Sequence, residues 1–281
     1  MFAAYVNDTA DPTKNLAKAF AFDGQTGKLR WSYSPSGPAG GAGIQASRNG
    51  AWVAYTNSPF TYVLDGATGA LRGAPIPSEF AAYVSDSGAF VAAVGASSAF
   101  IYSWSGSAYA VAQTIAPPAG CEDGCRYPWD VAMSSSDAAV EYAVFGFIDA
   151  GATQTAVAAF ALTAGATPTL VANWTSAKNA KLQTNPTIRC DGEFIAVATW
   201  GNEGDVPTVV LLQAATAAIT GATAPLFTFT SPGSMFGVDV VVAARTASAT
   251  TLMLAAAGKA VPANVMGNGG DAYGWRVTVP A

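Results

Sequence analysis

Apolar and polar residues alternate along this chain in short runs, and Gly, Asn, Asp or Ser clusters punctuate the gaps between them. A period of two is the pattern of β-strands with one buried face. Helical periodicity of any length is missing, and Ala214 to Ala218 is too short to count. The clearest instance is Ala21-Phe22-Asp23-Gly24-Gln25-Thr26-Gly27-Lys28-Leu29-Arg30-Trp31, a strand, a glycine-closed turn and a second strand bearing a tryptophan. It recurs as Val63-Leu64-Asp65-Gly66-Ala67-Thr68-Gly69-Ala70-Leu71-Arg72. In both, Asp accepts hydrogen bonds from the turn backbone and Gly supplies a positive φ.

Strands follow in groups. The pattern predicts 2–7 and 28–34 around the opening hairpin, then 44–47, 51–55 and 60–64, then 80–84, 90–94, 100–104 and 109–115. Further groups fall at 130–133, 140–148, 155–162 and 170–174; at 187–189, 194–200, 208–212 and 226–230; and at 238–242, 251–256 and 273–279. Units of about 40 to 55 residues with four strands each predict an all-β fold, a β-propeller of about six four-stranded blades whose terminal blades are incomplete. Residues 1–281 are expected to form a single propeller domain. A two-sheet sandwich is the alternative, but it gives no reason for a turn motif at blade-like spacing.

The Asp-Gly-x-Thr-Gly-(Lys/Ala)-Leu-Arg turns, the first leading directly into Trp31, resemble the PQQ-type propeller repeat of the quinoprotein-like superfamily. The resemblance covers 19–31 and 62–72. It implies a propeller fold and a way of docking blades. The redox cofactor belongs to some members only, and this chain lacks the vicinal cysteine pair typical of the quinone dehydrogenases.

Strand directions alternate within a blade, so connections from second to third strand and between blades share one face. The tight turns at 23–27, 49–50, 65–69, 85–88 and 191–192 fall on the opposite face. The longer loops at 8–15, 35–43, 117–129, 176–186, 201–207 and 258–271 fall on the first; 214–225 is an exception on the tight-turn side. Long loops on a rigid scaffold are where binding resides. Ligand-binding candidates there are Glu122, Asp123, Arg126, Trp129 and Asp130, then Glu203 and Asp205, and Tyr273 beside Asp271. They offer carboxylates for Ca²⁺ and an aromatic platform for a sugar. The bland reading is solvated loop charges and a Trp129 that packs blades.

Composition narrows the function. Apolar residues make up 51% and charged residues 11% of the chain, with a net charge of −5. The surface is therefore mostly small and neutral, and scattered basic residues give no field for nucleic acid. No run approaches a membrane span. Residues 1–8 lack the basic start and apolar core of a signal peptide, so a leader is expected to be either removed or never present. No histidine occurs, which excludes Ser-His-Asp and Cys-His catalysis and histidine-ligated metal.

Cys121-Glu122-Asp123-Gly124-Cys125 has the spacing of a small disulfide loop, with zinc as a rival that runs short of ligands. Cys190 reads as a buried free thiol at a strand end. Asn7 and Asn173 begin N-glycosylation sequons. Gly201-Asn202-Glu203-Gly204-Asp205 lacks the spacing of an EF-hand, and no helix follows Gly267-Asn268-Gly269-Gly270.

The reading that results is a non-catalytic secreted or cell-surface propeller that binds a protein or glycan through its long-loop face, with no cofactor. Open blade edges also invite self-association. The alternative is a Ca²⁺-dependent lactonase- or esterase-like hydrolase with Asp130, Asp239 and Glu193 as metal ligands in the central channel.

Overall fold

In the computed structural model, residues 2–6, 16–36, 42–78, 80–118, 120–121, 124–135, 140–178, 185–200, 206–259 and 270–280 are described. The chain is all-β, and its sheets are the meander blades of a β-propeller: six antiparallel sheets among the described residues, four with four strands and two with three. Among those residues no helix is long and apolar enough to cross a membrane. The chain divides into two compact units, Met1–Thr114 and Ile115–Ala281.

The first unit opens with the three-stranded sheet β1 (Phe2–Val6), β2 (Leu16–Phe22) and β3 (Leu29–Tyr33). Next come β4 (Ala42–Ala46), β5 (Trp52–Asn57), β6 (Phe60–Asp65) and the two-residue β7 (Ile76–Pro77). Its last sheet is β8 (Ala81–Val84), β9 (Phe90–Val94), β10 (Ala99–Trp104) and β11 (Tyr109–Ile115). Strands β5 and β9 are buried almost end to end rather than alternating. Each is the second strand of its sheet, and neighbouring blades cover both faces of β5: one face places Val53 and Tyr55 with Ala19, Ala21 and Trp31. The other places Ala54 with Ala82, Val84, Val91 and Ala93.

The turns of this unit behave as the repeat predicts. Asp23 Oδ1 accepts the N–H groups of Gln25 (3.1 Å) and Thr26 (2.8 Å) and the Thr26 hydroxyl (2.8 Å). Asp65 Oδ1 takes Ala67 (3.1 Å), Thr68 (2.8 Å) and the Thr68 hydroxyl (2.8 Å) in the same way. The turn-closing Gly27 and Gly69 have φ of 67° and 73°, a region that disfavours a Cβ. Blades then lock through side chains. Arg72 lies between the rings of Trp52 (4.1 Å) and Trp104 (4.4 Å) and donates from Nη1 to the Gly88 carbonyl.

The second unit holds β12 (Tyr127–Ser135), β13 (Glu141–Ile148), β14 (Thr155–Leu162) and β15 (Thr169–Thr175). Then follow β16 (Pro186–Asp191), β17 (Phe194–Thr199), β18 (Val209–Gln213) and β19 (Phe227–Phe229), and the three-stranded β20 (Met235–Arg245), β21 (Ala249–Lys259) and β22 (Gly270–Pro280). The last three strands run well beyond the stretches that alternation marks. Close approach of the first two sheets depends on Gly146, where an added Cβ would lie 2.7 Å from Ile188 Cδ1. Two hydrophobic layers fill the spaces between successive sheets, one around Val144, Val157, Ile195 and Val197, the other around Leu211, Leu252 and Leu254.

Segment 214–225, the long connection on the tight-turn side, lies along β15. Ala215, Ile219 and Thr223 donate backbone N–H groups to the carbonyls of Val171, Leu170 and Asn173. An otherwise open strand edge is thereby covered.

Candidate functional site: an aromatic rim in the second unit

The starts of β12, β16 and β20 and the end of β17 lie at one end of their sheets, as the pairing of Pro186 with Thr199 fixes. That end carries the loops expected to bind. At Trp129 the β12–β13 register shifts between Pro128 and Asp130. Such a bulge re-aims one side chain. Trp129 turns outward and is 42% exposed, while Asp130 is half-buried.

Trp129 meets Trp200, which follows β17, edge-to-face with ring centroids 6.3 Å apart. Trp200 meets Phe236 of β20 edge-to-face at 5.2 Å. The Lys259 ammonium stands 5.5 Å from the Phe236 ring, and Phe236 is itself 36% exposed. The result is an aromatic strip across three successive blades with a cation at one end. Thr187 Oγ1 donates to the Phe236 carbonyl at 2.9 Å and fixes β20 against β16. Tyr127, 41% exposed, and exposed Arg126 lie next to Trp129 in sequence.

The acids expected near this rim do other work. Asp130 Oδ2 accepts the Ile188 N–H at 2.8 Å, and Oδ1 accepts the Val131 N–H at 2.9 Å. Arg189 Nη1 lies 3.9 Å away. Burial raises the Asp130 pKa, opposed by those N–H donors and by Arg189. Asp191 makes the same kind of cross-blade tie, its Oδ2 accepting the Val242 N–H at 2.7 Å. Glu193 forms a two-point pair with Arg245 at 2.7 and 2.9 Å; burial pushes its pKa up, but the Arg245 bonds outweigh burial and leave it lowered. Asp239 is exposed and accepts the Val240 N–H. Asp130, Glu193 and Asp239 thus serve separate contacts, and among the described residues no group of three or more acid or cysteine side chains could hold a metal ion.

Tyr273 does not join the rim. It stacks on Trp275 and meets Phe229 at a tilt between β19 and β22, and its hydroxyl donates to Asp271 Oδ2 at 3.0 Å. Cys121 and Cys125 are joined by a disulfide with Cα atoms 5.5 Å apart. Cys190 lies outside the disulfide and is half-buried rather than buried as expected, because it sits on the first strand of its sheet rather than in a fully covered second strand. Asn173 is half-buried within β15, its backbone bonded to Thr223 on both sides. Glu122, Asp123, Glu203, Asp205 and Asn7 lie outside the described residues. Trp200 and Phe236 carry no motif; the only signal was an aromatic residue at a strand end beside a long loop.

No known protein family profile matches this chain, and no curated protein does. Among solved structures it is similar to Hsv2p of Kluyveromyces lactis, at 10% identity and a TM-score of 0.47, covering 90% of this chain and 70% of that one. It is also similar to the WD40 domain of SCAP from fission yeast, at 10% identity and a TM-score of 0.47, covering 99% and 74%.

Proposed function

We propose that this chain is a non-catalytic, extracytoplasmic binding module that presents the Trp129–Trp200–Phe236 rim to a protein partner. The observation that carries the proposal is the exposed aromatic strip with its cationic end. Trp, Tyr and Arg dominate the binding energy of protein interfaces, because large rigid rings bury area at little entropic cost. The rings stand at 79° and 83° to their neighbours, which suits an irregular set of partner side chains better than a flat ladder of sugars. The Cys121–Cys125 disulfide supports an oxidising compartment. Kinship with the PQQ-type repeat is supported by the twin Asp turns and by Trp31 docked on the next blade.

The test is affinity capture from a secreted-protein fraction on immobilised wild type, a Trp129→Ala/Phe236→Ala variant and a Val111→Ala control. Proteins retained by wild type and control but lost by the rim variant support the reading. Identical retention on all three overturns it, as does binding only to oligosaccharide probes.

A further inference from the structure

We propose that the pocket between the second and third sheets of the first unit is a binding site for an uncharged, proline-rich segment of a protein partner. The cavity measures about 390 Å³, inside the range of about 300–1,000 Å³ that ligand pockets occupy. All of its walls come from the unit Met1–Thr114. The β5–β6, β7–β8 and β9–β10 connections converge on it, each of the kind expected to form the binding face. Phe60, 41% exposed, comes from one sheet and half-buried Phe100 from the other. Pro77, the register partner of Phe60, and Pro59 add two pyrrolidine rings. The pocket is also held in shape from below. Ser78 donates its N–H to the Pro59 carbonyl at 3.0 Å, and its hydroxyl lies 3.3 Å from the carbonyls of Ala81 and Val94, so one residue joins both sheets. Tyr102 of β10 donates its hydroxyl to the Pro77 carbonyl at 3.1 Å. Such preorganised walls lower the ordering cost of binding.

The lining selects the occupant. No residue in it is charged, so an ionised group would lose hydration here without gaining a partner. The ligand is therefore neutral. The phenyl and pyrrolidine rings offer apolar faces, while Ser97 and Ser98 place hydroxyl groups on the 95–98 turn. A polyproline II segment presents the complement: apolar rings, and carbonyls that make no internal hydrogen bonds. Aromatic-lined grooves take such segments because the extended helix is already formed and loses little entropy on docking. A sugar of similar size would bring more hydroxyls than two serines can pair.

Isothermal titration calorimetry of the full chain with a capped oligoproline peptide tests the proposal. A Kd in the micromolar range, independent of salt, is expected, and Phe60→Ala weakens it at least about tenfold. Ser97→Glu weakens it more than Ser97→Gln, because a carboxylate on the neutral wall faces the peptide carbonyls; misfolding would not produce that difference. Replacing alternate prolines of the peptide with glycine also weakens binding, since the preformed helix is lost. Absence of binding at about 1 mM peptide overturns the proposal. So do affinities unchanged in Phe60→Ala and Ser97→Glu, equal binding of the glycine-substituted peptide, or a monosaccharide that binds in the peptide's place. Trp129, Trp200 and Phe236 line no part of this pocket, so failure here leaves the rim reading standing.

Discussion

The indole N–H of Trp31 donates to the carbonyl of Gly66, 3.0 Å away, and so ties the last strand of the first blade to the turn of the second. The same ring covers Gly69, where an added Cβ would approach within 2.7 Å. One blade later Arg72 reaches the Gly88 carbonyl at 3.0 Å with its guanidinium between two tryptophans. The segment after the turn, bearing Trp31 in one repeat and Arg72 in the next, thus fastens the first blade to the second and the second to the third.

Trp31→Phe should therefore cost about 1–3 kcal/mol, because the Gly66 carbonyl loses its donor in a buried setting. Gly69→Ala should cost a similar amount, about 1–3 kcal/mol, from the clash and the positive φ together. Urea midpoints with unchanged slopes are the measurement.

Tyr109 packs on Trp104 and donates to the Gly88 carbonyl at 2.7 Å. Burial raises its pKa to about 12, despite the opposing charge of Arg72. Its neutral form contributes stability that is complete below the ordinary value of 10.0 and is lost as pH rises through about 12. Ultraviolet titration should show a late-ionising tyrosine that disappears in Tyr109→Phe.

Acid should separate the aspartates into two groups. Donors from Thr26 and Thr68 lower the pKa of Asp23 and Asp65. At Asp149 burial pushes upward, but hydrogen bonds from Gln154, Thr153 and Gly151 prevail and lower it. These three contribute stability above the model-peptide value of 3.8 that is lost as pH falls through their depressed folded values. Asp130 has the opposite sign: its stabilisation is present below 3.8 and is lost as pH rises through its raised folded value. Tm against pH should flatten on the acid limb for Asp149→Asn, and above pH 3.8 for Asp130→Asn.

Cys121 and Cys125 are four residues apart, so their cross-link removes little chain entropy. Replacing both with Ser should cost about 2 kcal/mol, read from the same urea curves.

Asp23 and Asp65 were legible because an Asp-Gly-x-Thr-Gly string has one economical backbone solution. Asp149 was not, although it makes a similar turn, because Ala152 holds the positive φ of 50° where a glycine would have marked it. The buried second strands read as ordinary apolar runs, since alternation vanishes when both faces are covered. Arg72 was legible as the closing residue of the repeat turn, but its role depends on Trp52 and Trp104, which are distant in sequence. The rim was half visible: Trp129 stood in a long loop, but Trp200 and Phe236 join it only once three blades are stacked. Asp130 and Glu193 gave a metal-ligand pattern by type, and their partners, the Ile188 N–H and Arg245, come from neighbouring blades that no local spacing reveals.

The rim's role is tested most directly by the affinity of a captured partner for wild type, Trp129→Ala, Trp200→Ala and Phe236→Ala. Weakening of about tenfold or more for at least two of the three is the predicted result. Affinities all within about twofold of wild type would contradict it.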